Sequence, residues 1–292
     1  MTADLLCSAM TAEQSVPKRV PARGGEAEGT AQERGTALQG KGDANATMAC
    51  DHDTVQRPER RWALWAPVKI VLAGGSGSLG RRLASAATAR GDDVVVLTRT
   101  QHENLPYRQV VWDGKMVGAW ANELDDAVLV NLAGELVDRR PSASNIALLT
   151  RSRVEPTRAL AAASRHVDLP PRLWLQLSTT AIYGDTGDVV LDEDSPVGTY
   201  PPQMCAVATA WEAAASGVRC QRQVILRTSV VLDRNTPALD RLTTIARLGL
   251  GGRIGVGRQW VSWLHIDDFL SITDLAIADA PARRGQHGNI PL

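Results

Sequence analysis

From about residue 68 onward, short apolar runs alternate with longer segments of helical spacing. The runs are Ile70–Ala73, Val94–Leu97, Gln109–Trp112, Ala127–Leu132, Leu173–Leu177 and Gln223–Arg227. Most lack polar alternation, which predicts strands buried on both faces, as in a parallel sheet. Between them, Arg81–Arg90, Asn145–Arg165 and Gln203–Ala215 predict helices, the second with Ile146, Leu149, Val154 and Leu160 along one stripe. Turn residues separate the elements: Gly91-Asp92-Asp93, Asp113-Gly114 and Pro170-Pro171. Strands alternating with helices in this way predict an α/β fold, a doubly wound parallel sheet with helices on both faces. The sequence shows no internal repeat.

The chain has 292 residues, and the first 60 have no such pattern. Rich in Ala, Gly, Glu, Thr and Gln, residues 1–60 carry too little apolar surface to offset chain entropy, so a disordered extension is expected there. That segment lacks the basic start and apolar core of a secretory signal. Acids such as Glu26, Glu28 and Glu33 set it apart from a transit peptide. Residues 68–292 are enough for one sizeable domain. Lys plus Arg and Asp plus Glu both total 32, so nothing global points to nucleic acid or an anionic membrane. No apolar run approaches the ~18 residues of a span. Cys7, Cys50, Cys205 and Cys220 have neither disulfide-framework nor zinc spacing. A soluble, cytoplasmic protein is the expectation.

The chemistry begins where the first run ends. Gly74, Gly77 and Gly80 follow it at intervals of three, and a helix opens directly afterwards. A diphosphate suits this layout. The first glycine allows the tight exit and the second admits phosphate to backbone N–H groups. The third lets the helix pack close, with its N-terminal partial charge facing the anion. Gly74, Gly77, Ser78, Leu79 and Gly80 are therefore expected to bind a dinucleotide on a Rossmann-type sheet. After the second strand an NAD site usually carries Asp or Glu for the ribose hydroxyls. Here Thr98-Arg99-Thr100 stands instead. A guanidinium can hold a 2′-phosphate that a carboxylate would repel, so NADP is favoured over NAD, with Arg99 as its reader. Arg81 and Arg82 add positive charge nearby.

In such a sheet the ligand lies outside the carboxyl ends of the strands. Leu132, Ala133 and Gly134, after Asn131, are expected beside the cofactor ribose, and Asp113 is either an adenine contact or a turn residue. Ser178 ends a buried run, and Tyr183 follows close enough to share the cleft. Glu212 reads as an exposed helical acid, with a general base as the alternative. His265 precedes Asp267-Asp268, which are expected to cap a helix from Phe269 to Ala278. The glycine-rich Gly249–Gly257, with Arg253, Arg258 and Gln259, suits either a loop near an anionic ligand or a surface turn.

These residues together resemble the extended short-chain dehydrogenase/reductase superfamily, in its atypical branch of NAD(P)-dependent sugar-nucleotide epimerase-like proteins. The resemblance spans roughly residues 68 to 291. Its marks are Gly74-Gly-Ser-Gly-Ser-Leu-Gly80, Asn131-Leu-Ala-Gly134, Ser152-Arg153 with Thr157, Ser178 with Tyr183-Gly184-Asp185, Trp211-Glu212, Gly249-Leu-Gly-Gly252, and Trp263-Leu-His-Ile-Asp-Asp268. It implies hydride exchange at a carbinol carbon of a small-molecule substrate, in the nucleotide-sugar class, with Ser178 and Tyr183 polarising the oxygen. A small C-terminal substrate lobe, about residues 235–292, is implied too, and the stop at Leu292 makes it read as truncated. Relatives of this type often form homodimers. Two departures stand out: Arg139-Arg140-Pro141 replaces Arg-Arg-Trp, and Asp233-Arg-Asn-Thr236 replaces a glycine pair.

The superfamily's Tyr-x-x-x-Lys dyad is missing, for no lysine follows Lys115. A phenol of pKa ~10 is only about 0.1% ionised at pH 7, so Tyr183 alone is a weak base. The alternative is a non-catalytic dinucleotide-binding sensor or interaction protein.

Overall fold

The computed structural model describes residues 67–138, 140–234, 236–252, 257, 260–279 and 287–289. The expected extension, residues 1–60, lies outside the described residues. Strands β1 (Lys69–Ala73), β2 (Asp93–Thr98), β3 (Arg108–Val111), β4 (Val128–Asn131), β5 (Leu173–Thr179), β6 (Gln223–Thr228) and a short strand His287–Asn289 form one parallel sheet. Numbering β7 (Val230–Leu232), β8 (Trp263–His265) and β9 (His287–Asn289) in chain order, the sheet runs β3-β2-β1-β4-β5-β6-β9. β7 and β8 pair separately, also in parallel. The helices are α1 (Ser78–Ala89), α2 (Ala143–Ala163), α3 (Pro202–Ala214), α4 (Pro237–Arg247) and α5 (Ile266–Ala278).

Two apolar layers explain why the strands read as continuous runs. Ile70, Leu72, Val94, Val96, Val128 and Val130 pack with Leu83, Ala84 and Ala87 of α1 and with Phe269 and Ile277 of α5. The alternate residues Val71, Ala73, Val95, Leu97 and Leu129 face Leu160, Ala161 and Ala163 of α2, together with Trp112, Trp120 and Trp174. Successive strand side chains point to opposite faces, so a sheet covered on both sides needs apolar residues at every position. Trp120 belongs to a 3-10 turn, Ala119–Leu124, on the crossover from β3 to β4. That crossover carries the chain back past β2 and β1. The strand order therefore reverses between β1 and β4, where such sheets hold ligands.

The expected strands and helices appear within a few residues of their expected limits. The sequence pattern did not anticipate α4, the β7–β8 ladder or β9. Each is short, and a three-residue strand carries too little periodicity to be read.

Gly80 sets how closely α1 meets the β1 exit. A Cβ placed there would lie 2.4 Å from the Gly75 Cα and 2.8 Å from the Gly74 carbonyl oxygen. Those contacts are backbone and cannot rotate away. Gly80→Ala is expected to destabilise the fold by about 2–3 kcal/mol, lowering the melting temperature by roughly 5–10 °C; a thermal melt followed by circular dichroism checks this.

Candidate active site

The β1 exit, the glycine turn and the start of α1 build the first part of the site. Gly74 has φ +81°, and a Cβ on it would lie 2.9 Å from the Leu132 carbonyl. The turn thus lies against the β4 exit, and Leu132 N–H donates to the Ala73 carbonyl at 2.8 Å. Gly77 is the N-cap of α1, with no side-chain cap and no acid in the first turn. Uncapped N–H groups and the helix dipole together favour an anion at this end.

The β4 exit is held by a buried polar network. The Asn131 side-chain amide donates to Thr157 Oγ1 at 2.8 Å and to Gln176 Oε1 at 2.9 Å, and its oxygen accepts from Ala133 N–H at 3.2 Å. Trp174 donates to Gln176 and Trp211 donates to Thr157, each at 3.1 Å. One side chain therefore links β4 to β5 and α2 and also shapes the turn into Leu132–Gly134. Beyond it, Arg153 lies against Gly134, with its guanidinium carbon 5.2 Å from the centre of the Trp211 ring. Burial lowers the Arg153 pKa to about 10, and the charge of Glu135 pulls it partly back.

Around the β2 and β3 exits the expected residues divide. Arg99 is exposed and meets Glu135 at 3.4 Å. Arg82 pairs with Asp233 at 3.2 Å, so its charge is already balanced. Arg81 donates to the Ser76 carbonyl at 2.8 Å. The Asp113 carboxylate accepts from the backbone N–H groups of Lys115 and Met116, which hold it below the usual carboxylate range.

Ser178 and Tyr183 come together through Glu212, which the sequence suggested was an exposed acid, and Arg227, which sequence reading passed over. Ser178 Oγ donates to Glu212 at 2.5 Å. Glu212 takes two bonds from Arg227, both 2.9 Å. Arg227 also donates to the Tyr183 hydroxyl at 2.8 Å and stacks over its ring at 5.2 Å. The carboxylate beside it raises the Arg227 pKa further. Glu212 is thus not the exposed helical acid its sequence position suggested: its side chain is only 12% exposed. Arg227 sits opposite Ser178 in the β5–β6 register. An arginine ending the apolar run Gln223–Leu226 was the available signal, since a charge on a buried strand needs a partner.

His265, not the aspartates, caps α5, with Nδ1 accepting from Asp267 N–H at 3.2 Å. Arg253, Gly255, Arg258 and Gln259 lie outside the described residues, as does Arg139. Among the described residues no His, Cys, Asp and Glu group suits a metal, and no helix is long and apolar enough to cross a membrane.

Known proteins share this fold and resemble its sequence. The model of the NAD dependent epimerase/dehydratase family covers residues 70–290. The chain belongs to that family. The bovine epimerase family protein SDR39U1 is 34% identical over 209 residues, covering 70% of this chain and 68% of its own. The crystal structure of human SDR39U1 (isoform 2) with NADPH superposes with a TM-score of 0.64 at 32% identity, over 75% of this chain and 73% of that one. The nucleoside-diphosphate sugar epimerase of Corynebacterium glutamicum gives 0.63 at 30% identity, over 78% of this chain and 48% of that one. The Rossmann-type α/β reading and the resemblance to epimerase-like short-chain enzymes therefore hold.

Glu212→Gln leaves the Arg227 guanidinium half-buried without a counter-charge. We expect a loss on the order of 3 kcal/mol, larger than for the double change Glu212→Leu with Arg227→Met, measured by urea unfolding.

Proposed function

We propose that this member of the family is an NADP(H)-dependent epimerase or oxidoreductase acting at a carbinol carbon. The observation that carries the cofactor is Arg99 at the β2 exit, where an NAD site would place an acid; the NADPH bound by human SDR39U1 supports it. The turn Gly74–Gly80 and the start of α1 would hold the cofactor's diphosphate, and Leu132, Ala133 and Gly134 would line its ribose. The substrate is a small molecule of the nucleotide-sugar class, in keeping with the name of the Corynebacterium relative. Its lobe is the segment from about residue 235 to 292, which includes α4, β8 and α5.

At the β5 exit, Ser178 and Tyr183 handle the substrate oxygen. Their hydrogen-bond roles follow from their partners. The Ser178 proton is committed to Glu212, so its oxygen is left as an acceptor. The Tyr183 oxygen already accepts from Arg227, so its own proton is left to donate. A carbinol hydroxyl fits that pairing, donating to Ser178 and accepting from Tyr183; on oxidation its proton would pass to Ser178 as the Ser178 proton passes to the Glu212 carboxylate. Arg227, its charge matched by Glu212, acts by bonding the Tyr183 oxygen, which leaves the tyrosine proton for the substrate oxygen. The bound nicotinamide would supply the hydride acceptor.

A second reading, dinucleotide binding without turnover, draws on the burial of the same pair. Ser178 is 2% exposed and Tyr183 7%, and both hydroxyls serve the Glu212–Arg227 cluster.

Titration of the nicotinamide fluorescence should show NADPH binding at least ~10-fold tighter than NADH, a preference lost on Arg99→Asp. Equal affinities in the unaltered protein would end the NADP reading. Ser178→Ala and Tyr183→Phe should keep NADPH affinity. If a screen of nucleotide sugars finds turnover, each should lower it about 10²-fold. Turnover unchanged in both variants would remove them from the chemistry.

A further inference from the structure

Arg99 and Glu135 leave the sheet on opposite sides of β1. Arg99 follows directly on β2, and Glu135 comes four residues after β4. β1 lies between those strands, and its exit is the glycine turn. Neighbouring strands are ~4.8 Å apart, so the two exits are separated by about 10 Å. The Arg99–Glu135 contact at 3.4 Å therefore reaches across the end of β1, at the point where the strand order reverses.

Glu135 is anchored at its backbone. Its N–H donates to Ser152 Oγ at 3.1 Å, and its carbonyl accepts from Arg153 at 3.0 Å. A Cβ at Gly134 would lie 3.0 Å from the Arg153 guanidinium carbon, so the chain passes close over α2 just before Glu135. The Glu135 carboxylate is 31% exposed against 76% for Arg99. The acid thus has an anchored backbone and the less exposed side chain of the two.

We propose that Glu135 sets cofactor affinity and selectivity by competing with the adenosine 2′-phosphate for the Arg99 guanidinium. This rests on the reading of Arg99 given above. A 2′-phosphate and the Glu135 carboxylate are like charges seeking one cation, so NADPH must draw Arg99 away from Glu135. NADH, with no such phosphate, gains nothing from that exchange.

The test is a double-mutant cycle of cofactor affinity, read by nicotinamide fluorescence at low salt. The proteins are the unaltered chain, Glu135→Gln, Arg99→Gln and the double variant, each checked by thermal melt. Glutamine keeps the length and backbone bonds of Glu135 while removing its charge. Glu135→Gln should tighten NADPH by ~3- to 10-fold and leave NADH within about 2-fold. The gain should shrink as salt is raised and vanish in the Arg99→Gln background. Weaker NADPH binding in Glu135→Gln would mean that Glu135 positions Arg99, and equal tightening of both cofactors would mean a steric barrier. A gain that persists without Arg99 would mean an independent action. Each overturns the proposal. If Arg99→Gln alone leaves the NADPH/NADH ratio unchanged, the underlying reading of Arg99 has failed, and that arm shows it separately.

Discussion

The side-chain amide of Asn131 is the interaction on which the site depends. It is fully buried at the end of β4 and joins β5 through Gln176, α2 through Thr157 and its own turn through Ala133. A buried amide left unpaired costs about 1–3 kcal/mol, so each partner is constrained to its position. The path of Leu132 and Ala133 follows from that constraint. Their backbone lies against Gly74, and the glycine turn can pass only because Gly74 has no Cβ. The junction of β1, β4 and α1, where the strand order reverses, is one packed unit.

A second cluster lies two strands along, and its character is different. Glu212 and Arg227 form a largely buried ion pair between α3 and β6, and they fix the hydroxyls of Ser178 and Tyr183. A buried pair seldom adds much net stability, because desolvation opposes the Coulombic gain. Its value is directional. It determines which hydroxyl at the β5 exit has a proton to give and which has a lone pair. A chain with no lysine beyond Lys115 thereby still keeps a cation beside its tyrosine.

Charge around the dinucleotide crevice is likewise arranged locally. The chain is neutral as a whole, yet Arg82 is matched by Asp233, Arg99 by Glu135 and Arg227 by Glu212. Arg153 departs from this pattern, bonded to the carbonyls of Leu149 and Glu135 and stacked on Trp211. Burial lowers its pKa, and the charge of Glu135 offsets that only in part.

The sheet, its helices and the glycine turn were legible in the sequence, because each is governed by local rules. Burial on both faces forces continuous apolar runs, and helix packing forces periodic apolar points. The close approach of α1 to β1 forces glycine at Gly80. The placement of Arg99 at a strand end was legible for the same reason. What the sequence could not reveal is which distant side chains meet. Glu212 and Arg227 are separated by 15 residues, and Arg99 and Glu135 by 36. Their pairing follows from strand order and register rather than from any local pattern. Glu212 therefore read as a solvated helical acid until α3 packed it against β5 and β6. The elements were determined by periodicity along the chain; the charges at the site were matched only by the tertiary fold, because electrostatic partners are selected by distance in space.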